Sequence, residues 1–245
     1  MKALEIQLDY ELKRFSATEK SIETIFIGGG TPSTVEPSLY IPLFKMLKPY
    51  LQDSIEITSE ANPNSATKEW LSGMQELGVN RISFGVQSFN PQKLKVLNRA
   101  HSKEDAIQAI STAHKLGYKN LSLDLIYATL GDSKELLEND LNIAFSLPIN
   151  HLSAYALTIE EGTPFEKKPH MSKEILETTS WLFEKIENSG LKQYEISNFG
   201  SYQSQHNIGY WTYKDYIGLG SGAVGKLHLD RFYPTSNIEK YIENP

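Results

Sequence analysis

The sequence contains no cysteine among its 245 residues. These residues therefore cannot form a disulfide, a zinc–thiolate site or a thiolate-bound iron–sulfur cluster by themselves. The six histidines show neither H-x-x-x-H spacing nor a tight pair, so we expect no metal site built from histidines alone. No apolar run approaches membrane-spanning length, and the N-terminus does not resemble a signal peptide. We predict a cytoplasmic protein.

Basic residues are also scarce relative to acidic ones. The 24 Lys and Arg residues face 30 Asp and Glu residues, which gives a formal net charge of −6, and no basic run is present. Binding to phosphate backbones needs an excess of Lys and Arg, so we expect no nucleic-acid partner. The composition, 40% hydrophobic and 22% charged, is typical of a globular protein with a sizeable core.

The sequence instead alternates between strand and helix patterns. Strand patterns cover residues 24–27, 54–59, 81–86, 120–127, 151–157 and 193–197. Helical patterns cover residues 3–15, 36–51, 68–77, 91–97, 103–116, 134–146 and 172–189. Repeated strand–helix units predict an α/β fold with a parallel sheet. Six strands and no dinucleotide fingerprint favour a barrel or partial barrel over an open sheet.

Three glycines follow the first strand pattern directly, at Gly28, Gly29 and Gly30. A turn without side chains lets backbone groups touch a ligand, although an ordinary strand-to-helix turn is the simpler alternative. Polar residues also end three later strands, at Glu60, Gln87 and Asp124. The carboxyl ends of parallel strands meet on one side of a barrel, which predicts a shared pocket there. Asp124 is the strongest candidate, because a carboxylate in an apolar strand needs a partner.

The chain opens on a helix, whereas each helix of a parallel array normally follows a strand. We therefore expect the middle of a longer protein, with residues 1–198 forming a barrel that is truncated at the N-terminus and lacks its first strand and loop. Residues 199–245 are rich in glycine and aromatic residues and include His206, Tyr210 and Trp211. We expect this C-terminal extension to be loop-rich and to begin a further region.

Several motifs resemble a known family and occur in the same order as in that family. They are Gly28-Gly29-Gly30-Thr31-Pro32, Glu60-Ala61-Asn62-Pro63, Gly85-Val86-Gln87-Ser88-Phe89, Leu97-Asn98-Arg99, Asp124-Leu125-Ile126-Tyr127 and His206-Asn207-x-x-Tyr210-Trp211. The family is the oxygen-independent coproporphyrinogen III oxidase family of radical S-adenosylmethionine (SAM) proteins. The last motif and residues 157–164 are most similar to its heme-chaperone branch, the HemW proteins.

The resemblance implies a partial (β/α)6 barrel. It also implies a 4Fe-4S cluster, held by a C-x3-C-x2-C loop after the first strand, whose free iron binds SAM. The cluster cysteines are absent from this chain, so we expect the cluster only in a full-length protein. Residues 128–131 also depart from the family, which usually has Gly-Leu-Pro at this position. We therefore expect the loop after Asp124 to differ in detail from that of the family.

The resemblance also implies roles for single residues. Backbone groups of Gly29, Gly30 and Thr31 would meet the methionine end of SAM. Glu60 would bind the ribose hydroxyls, since a carboxylate can accept two of them. His206 would be an axial ligand to heme iron, and a structural histidine within an aromatic cluster is the alternative.

Three further residues would complete the SAM site. Arg99 would bind the SAM carboxylate, because a guanidinium fork matches a carboxylate. Without the resemblance, the better interpretation of Arg99 is a solvated cation at a helix end. Gln87 and Asp124 would line the same pocket as hydrogen-bond partners.

The resemblance favours a heme chaperone that binds heme and delivers it to acceptor proteins, such as heme-requiring respiratory enzymes, with a membrane-protein acceptor as one option. One alternative is the oxidase itself, which decarboxylates coproporphyrinogen III in porphyrin biosynthesis. A second alternative is a clusterless protein that binds SAM or heme without radical chemistry.

Overall fold

The computed structural model describes residues 1–162, 165–173 and 175–245. Its helices are α1 (Lys2–Arg14), α2 (Ile41–Leu47), α3 (Lys68–Glu76), α4 (Pro91–Val96), α5 (Lys103–Lys115), α6 (Lys134–Ser146), α7 (Leu176–Asn188), α8 (Gln205–Trp211) and α9 (Ile238–Glu243). Its strands are β1 (Ile22–Ile27), β2 (Leu51–Ala61), β3 (Arg81–Gln87), β4 (Asn120–Tyr127), β5 (His151–Ala156), β6 (Lys192–Gln193), β7 (Asn198–Gly200), β8 (Gly225–Leu227) and β9 (Asp230–Phe232).

Seven strands form one sheet in the order β1-β2-β3-β4-β5-β7-β6. The pairs from β1 to β5 are parallel, whereas β7 is antiparallel to both β5 and β6. Strands β8 and β9 form a separate antiparallel pair. The α/β class and the partial barrel predicted from the sequence are confirmed.

The sixth predicted strand, residues 193–197, is wrong. Most of that segment forms a tight connection between β6 and β7, in which the Tyr194 N–H donates to the Asn198 carbonyl at 3.1 Å. The Glu195 carboxylate also accepts the Ser197 N–H at 2.8 Å. These local hydrogen bonds reverse the chain direction. The sheet therefore ends in the antiparallel strands β7 and β6.

The predicted helix over residues 36–51 is also wrong in extent. Three prolines divide the segment into a 3-10 turn (Pro37–Tyr40), α2 and a second 3-10 turn (Lys48–Tyr50). A proline removes a backbone donor, so each one favours the start of a new turn. Leu51 then begins β2, which is longer than the predicted strand. The helix predicted over residues 172–189 begins at Leu176, and Glu174 lies outside the described residues.

The two faces of the sheet differ in chemistry because side chains alternate along each strand. Phe84, Leu123 and Leu152 are fully buried on the face covered by helices. Ser83, Asp124 and Ser153, one position away from them, lie on the concave face. The apolar core thus lies between sheet and helices, and polar groups line the inside of the half-barrel.

The segment after β7 returns to the start of the sheet. Helix α8 packs on β1, and α9 packs on α1, where the Tyr241 hydroxyl donates to Gln7 at 2.8 Å. The predicted boundary between residues 198 and 199 stays a prediction, since β7 spans it. Among the described residues, no helix combines the length and apolar character that a membrane crossing requires.

Candidate functional site

The glycine turn after β1 leaves its backbone open. Gly29 and Gly30 have φ values of +74° and +57°, and a Cβ built on either would meet nothing within 4 Å. The Gly29 N–H donates to the Glu60 carboxylate at 3.1 Å, so the turn is tied to the end of β2. The Thr31 carbonyl is already engaged by the Thr34 N–H at 3.0 Å. Gly29 and Gly30 therefore offer a ligand the most open backbone of the turn, and the role of Thr31 stays a prediction.

Gly28 is sterically the most restricted glycine of the turn, and sequence reasoning assigned it no role of its own. A Cβ at Gly28 would lie 2.5 Å from a ring carbon of Phe26 and 3.0 Å from the Glu60 carboxylate. Real Cβ atoms do not approach other atoms so closely. Gly28 therefore allows Phe26 and Glu60 to occupy the same corner of the half-barrel.

Asp124 lies on the concave face of β4, within the strand and not at its end as predicted, and it meets the predicted need for a partner. The Ser83 hydroxyl on β3 donates to its carboxylate at 3.3 Å. The pKa of Asp124 is raised to about 6, chiefly by burial and also by the charge of Glu60, against the opposing hydrogen bonds of Ser153 and Ser83 and the charge of Arg81. Asp124 and Glu60 are thus close enough to interact electrostatically, as the shared pocket requires.

The raised pKa predicts that Asp124 destabilises the fold at neutral pH. An acid whose pKa is higher in the folded state favours folding when protonated, and this stability is lost as pH rises through the folded pKa. Asp124→Asn should therefore raise the free energy of unfolding by on the order of 2 kcal/mol at pH 7. The gain should vanish below about pH 4. Chemical denaturation at several pH values measures it, with the exposed Asp53→Asn as control. An equal gain in unfolding free energy at all pH values would contradict the raised pKa of Asp124.

The end of helix α4 fixes the backbone position of Arg99. Asn98 has φ 53°, its N–H donates to Lys95, and the Arg99 N–H donates to Leu94 at 2.9 Å. This pattern is a Schellman motif, in which asparagine supplies the left-handed residue. The Nε atom of Arg99 is buried and has no hydrogen-bond partner among the described residues. Burial lowers the pKa of Arg99, and the charge of Asp124 opposes that effect.

Gln87 ends β3 and is buried, with φ 68°. A Cβ built on Gly85 would lie 3.1 Å from its Nε2 atom, so the Gln87 amide lies over Gly85. Burial raises the pKa of Glu60, and the Gly29 N–H opposes this shift. The structure thus brings Glu60, Asp124 and Arg99 into electrostatic contact at the carboxyl ends of the strands, with Gln87 beside them.

His206 lies in helix α8, not in the loop that the sequence predicted. Its Nδ1 hydrogen-bonds the Thr24 hydroxyl and its Nε2 hydrogen-bonds the Tyr210 hydroxyl, both at 2.9 Å. The imidazole stacks on Phe26 at a centroid distance of 5.0 Å. His206 therefore shares Phe26 with the glycine turn, which places it next to the Glu60 corner.

Glu56 holds the start of α8, a contact that sequence reasoning missed. Its carboxylate accepts the Ser204 hydroxyl at 3.0 Å, the Gln205 N–H at 3.1 Å and the His206 N–H at 3.0 Å. A carboxylate satisfies the free N–H groups of a helix start. The available signal was polar alternation along β2, where Glu56 and Glu60 fall on one face.

The His206 side chain has the protonation state that a metal ligand needs. Burial lowers its pKa to about 4, so the imidazole is neutral above about pH 5. The Thr24 bond fixes one ring nitrogen, and the other points to Tyr210. Tyr210 is 48% exposed and Trp211 is 51% exposed, so flat aromatic surface lies beside the imidazole.

A second polar layer lies deeper in the half-barrel, also unpredicted. The buried Arg81 donates to the Tyr202 hydroxyl at 2.8 Å and contacts the His151 Nδ1 at 3.4 Å. The His151 Nε2 hydrogen-bonds the Tyr194 hydroxyl at 2.7 Å. Burial lowers the pKa of His151 to about 3, so it stays neutral beside Arg81. These buried groups satisfy one another's hydrogen-bonding capacity. The groups that a ligand could bind therefore lie at the carboxyl ends of the strands.

Potential metal ligands do not cluster in the part of the chain that the structure describes. No group of three His, Asp or Glu side chains there has the spacing of a metal site. Of the motif at residues 157–164, Thr163 and Pro164 lie outside the described residues.

Comparison with known proteins identifies similar chains. The family model described as the Radical SAM superfamily matches residues 5–144. The chain is 40% identical over 221 residues to the heme chaperone HemW of Escherichia coli, covering 86% of this chain and 58% of that protein. It is 34% identical over 237 residues to the heme chaperone HemW of Bacillus subtilis, covering 92% of this chain and 62% of that protein.

A solved structure supports the same fold. The E. coli coproporphyrinogen III oxidase HemN, a radical SAM enzyme, superposes with a TM-score of 0.78 at 20% identity, covering 99% of this chain and 60% of that chain. The chain thus spans about three fifths of the length of these curated relatives. Radical SAM proteins use SAM and a 4Fe-4S cluster, whereas this 245-residue sequence contains no cysteine.

Proposed function

Because the chain belongs to the radical SAM superfamily, we propose that its half-barrel binds SAM at the carboxyl ends of the strands and binds heme at His206. We further propose that the protein is a heme chaperone, as the similarity to HemW proteins indicates. The observation that carries the proposal is the neutral His206 imidazole, which lies beside exposed aromatic surface and shares Phe26 with the glycine turn.

The residues at the strand ends fit SAM. The buried Arg99 Nε lacks a partner among the described residues, and a ligand carboxylate would supply one. Gly29 and Gly30 have open space above their backbones for the methionine end. Glu60 would accept the ribose hydroxyls, and its bond to Gly29 holds it in place.

Two more groups would complete the SAM pocket. The Gln87 amide can donate or accept, and it lies at the end of β3 beside Gly85. Asp124 carries a raised pKa, so a nearby ligand cation would favour its ionised form. The methionine part of SAM offers both an ammonium and a sulfonium group for this role.

The residues present do not fit the cluster. Cluster iron is held by cysteine thiolates, and none of the 245 residues is a cysteine. This sequence therefore supplies no thiolate ligand for the cluster. Its own residues bind and orient SAM and heme.

Heme is the cargo in this proposal. The Thr24 bond at Nδ1 fixes the His206 ring, which leaves Nε2 as the iron-binding atom. Tyr210 now hydrogen-bonds that atom, so heme binding requires the Tyr210 hydroxyl to move aside. Trp211 and Tyr210 are half exposed and would then pack on the porphyrin.

Delivery to acceptor proteins follows from an accessible heme. Because Tyr210 and Trp211 are half exposed, a porphyrin packed on them would stay partly open, and an acceptor could then take it. Heme-requiring respiratory enzymes, including membrane proteins, are the acceptors that we propose. Coproporphyrinogen III oxidation remains the alternative enzyme function, which the fold of HemN makes possible but does not favour over heme transfer.

We expect the purified chain to bind ferric heme with a shifted Soret band, and His206→Ala to weaken binding about tenfold. Most of the porphyrin affinity comes from apolar contact, so loss of the axial ligand should reduce it without abolishing it. Spectral titration at pH 7 measures both. Because the His206 imidazole is neutral well below pH 7, the parent affinity should be unchanged between about pH 8 and pH 5.

The control is His114→Ala, which removes an exposed histidine on α5. It should leave both the Soret band and the affinity as in the parent. The assignment of His206 is wrong if His206→Ala binds heme with the parent's spectrum and affinity.

A further inference from the structure

The end of β3 contains a strained turn. The Ser88 N–H donates to the Val86 carbonyl at 2.8 Å, across Gln87 with φ 68°. A hydrogen bond between residues two apart, with positive φ in the middle, defines the rare and strained form of the γ-turn. Non-glycine residues adopt such backbone only when their surroundings hold them there.

The turn decides where the Gln87 amide lies. Phe84 pairs with Leu123, and Gln87 pairs with Leu125, so three steps of β3 face two steps of β4. The extra residue is a bulge, a feature that redirects side chains near functional sites. It brings the Gln87 amide over Gly85, within 3.1 Å of where a Cβ would stand.

Two buried side chains hydrogen-bond the turn, one at the residue before Gln87 and the other at the two residues after it. His101, just before α5, hydrogen-bonds the Val86 carbonyl through Nε2 at 2.9 Å. Asp140, on α6, accepts the Ser88 hydroxyl at 2.6 Å and the Phe89 N–H at 2.7 Å. His101, Asp140 and Ser88 are 5%, 3% and 0% exposed, so solvent does not replace these bonds. The carbonyl before Gln87 and the two residues after it are thus fixed by separate elements.

We infer that Asp140 and His101 are positioning residues that hold Gln87 in its γ-turn and so aim its amide into the SAM pocket. This inference rests on the proposed SAM site. Their hydrogen bonds end on Val86, Ser88 and Phe89, beside Gln87, although His101 also lines the cavity next to Arg99. Without them, Gln87 would relax toward ordinary strand geometry, which removes the bulge and changes the register of its side chain.

A double-mutant cycle on the 245-residue chain tests the inference, with SAM binding measured by calorimetry. Gln87→Ala and Asp140→Ala should each lower SAM affinity by about tenfold, and the double variant should be no weaker than either. His101→Leu should weaken binding as well. His101→Gln should restore most of it, because the glutamine amide can donate to the Val86 carbonyl.

Lys93→Met is the matched control. It breaks the buried ion pair between Lys93 and Asp132, 2.8 Å apart, whose charges act on Asp140 but which has no hydrogen bond to the turn among the described residues. We expect it to lower stability and leave SAM affinity within about twofold of the parent. Independent, multiplying losses for Gln87→Ala and Asp140→Ala would overturn the inference, as would parent-like affinity of Asp140→Ala or His101→Leu.

Hydrogen exchange in the absence of SAM separates this inference from the proposed function. The Ser88 amide should exchange at least tenfold faster in Asp140→Ala and His101→Leu than in the parent or Lys93→Met. If Asp140→Ala does not fold, SAM affinity and Ser88 exchange are compared between His101→Leu and His101→Gln instead. A parent chain that does not bind SAM contradicts the proposed site, while unchanged Ser88 exchange contradicts the role of Asp140 and His101.

Discussion

Arg99→Ala is expected to weaken SAM binding about 100-fold, since truncating one partner of a desolvated charge pair costs about 2–5 kcal/mol. The expectation rests on the Nε atom, which is buried without a partner among the described residues. It also rests on Asp124, whose charge acts on Arg99 at the same strand ends. Calorimetry or equilibrium dialysis with SAM measures the loss.

Arg99→Lys separates charge from shape. It keeps the cation but loses the planar fork, so affinity should fall only about tenfold. Lys95→Ala is the control, because Lys95 is an exposed cation on α4, the helix that ends three residues before Arg99. It should bind SAM as the parent does. Parent-like binding by Arg99→Ala would mean that Arg99 is only a helix-end cation, as its sequence position alone suggests.

Gly28→Ala is expected to weaken SAM and heme binding together, each by about 10- to 100-fold, because overpacking of this kind costs about 1–3 kcal/mol. The added Cβ would stand 2.5 Å from the Phe26 ring and 3.0 Å from the Glu60 carboxylate. Moving the Phe26 ring away from the added Cβ would cost stacking energy, since the ring stacks on His206. Parallel titrations with SAM and ferric heme measure the two losses.

A second substitution distinguishes this clash from general damage. Phe26→Leu added to Gly28→Ala removes the nearest atom, so SAM affinity should recover while heme affinity stays low. Gly209→Ala is the control, because its Cβ would come no closer than 3.8 Å to Lys214 and the residue is helical. If Gly28→Ala lowers only one of the two affinities, the two sites do not share this corner.

Much of the site at the strand ends could be predicted from local sequence. Glu60 stands near the end of β2 and Asp124 interrupts the apolar run of β4, and parallel topology gathers such strands without knowledge of their exact register. Arg99 follows Asn98, whose left-handed conformation is a common helix stop. In each case a few neighbouring residues determine the geometry, although the SAM roles of these residues stay predictions.

The features that were missed depend on distant partners. Gln87 has positive φ between neighbours that hydrogen-bond His101 and Asp140, and Asp140 is 52 residues from Ser88. Gly28 matters because Phe26 and Glu60 meet there, a contact between two strands. Such contacts depend on sheet register and packing, which no local pattern encodes.

The end of the sheet and helix α8 were missed for a related reason. Residues 193–197 have a strand composition, but the Glu195 and Tyr194 bonds reverse the chain there. Residues 205–211 belong to the segment 199–245, which is rich in glycine and aromatic residues, a composition that favours loops. Ser204 and Glu56 instead cap a short helix at its start, and Glu56 is 150 residues from His206. Tertiary contacts outweigh propensity in both segments.

The central claim is that this half-barrel holds heme through His206. Pulsed electron paramagnetic resonance of its ferric heme complex, with nitrogen-15 placed in histidine alone, tests that claim most directly. A strong coupling of a histidine nitrogen to the iron is predicted for the parent chain, and it should disappear in His206→Ala. Bound heme without histidine coupling in the parent, or coupling that persists in His206→Ala, would contradict the account.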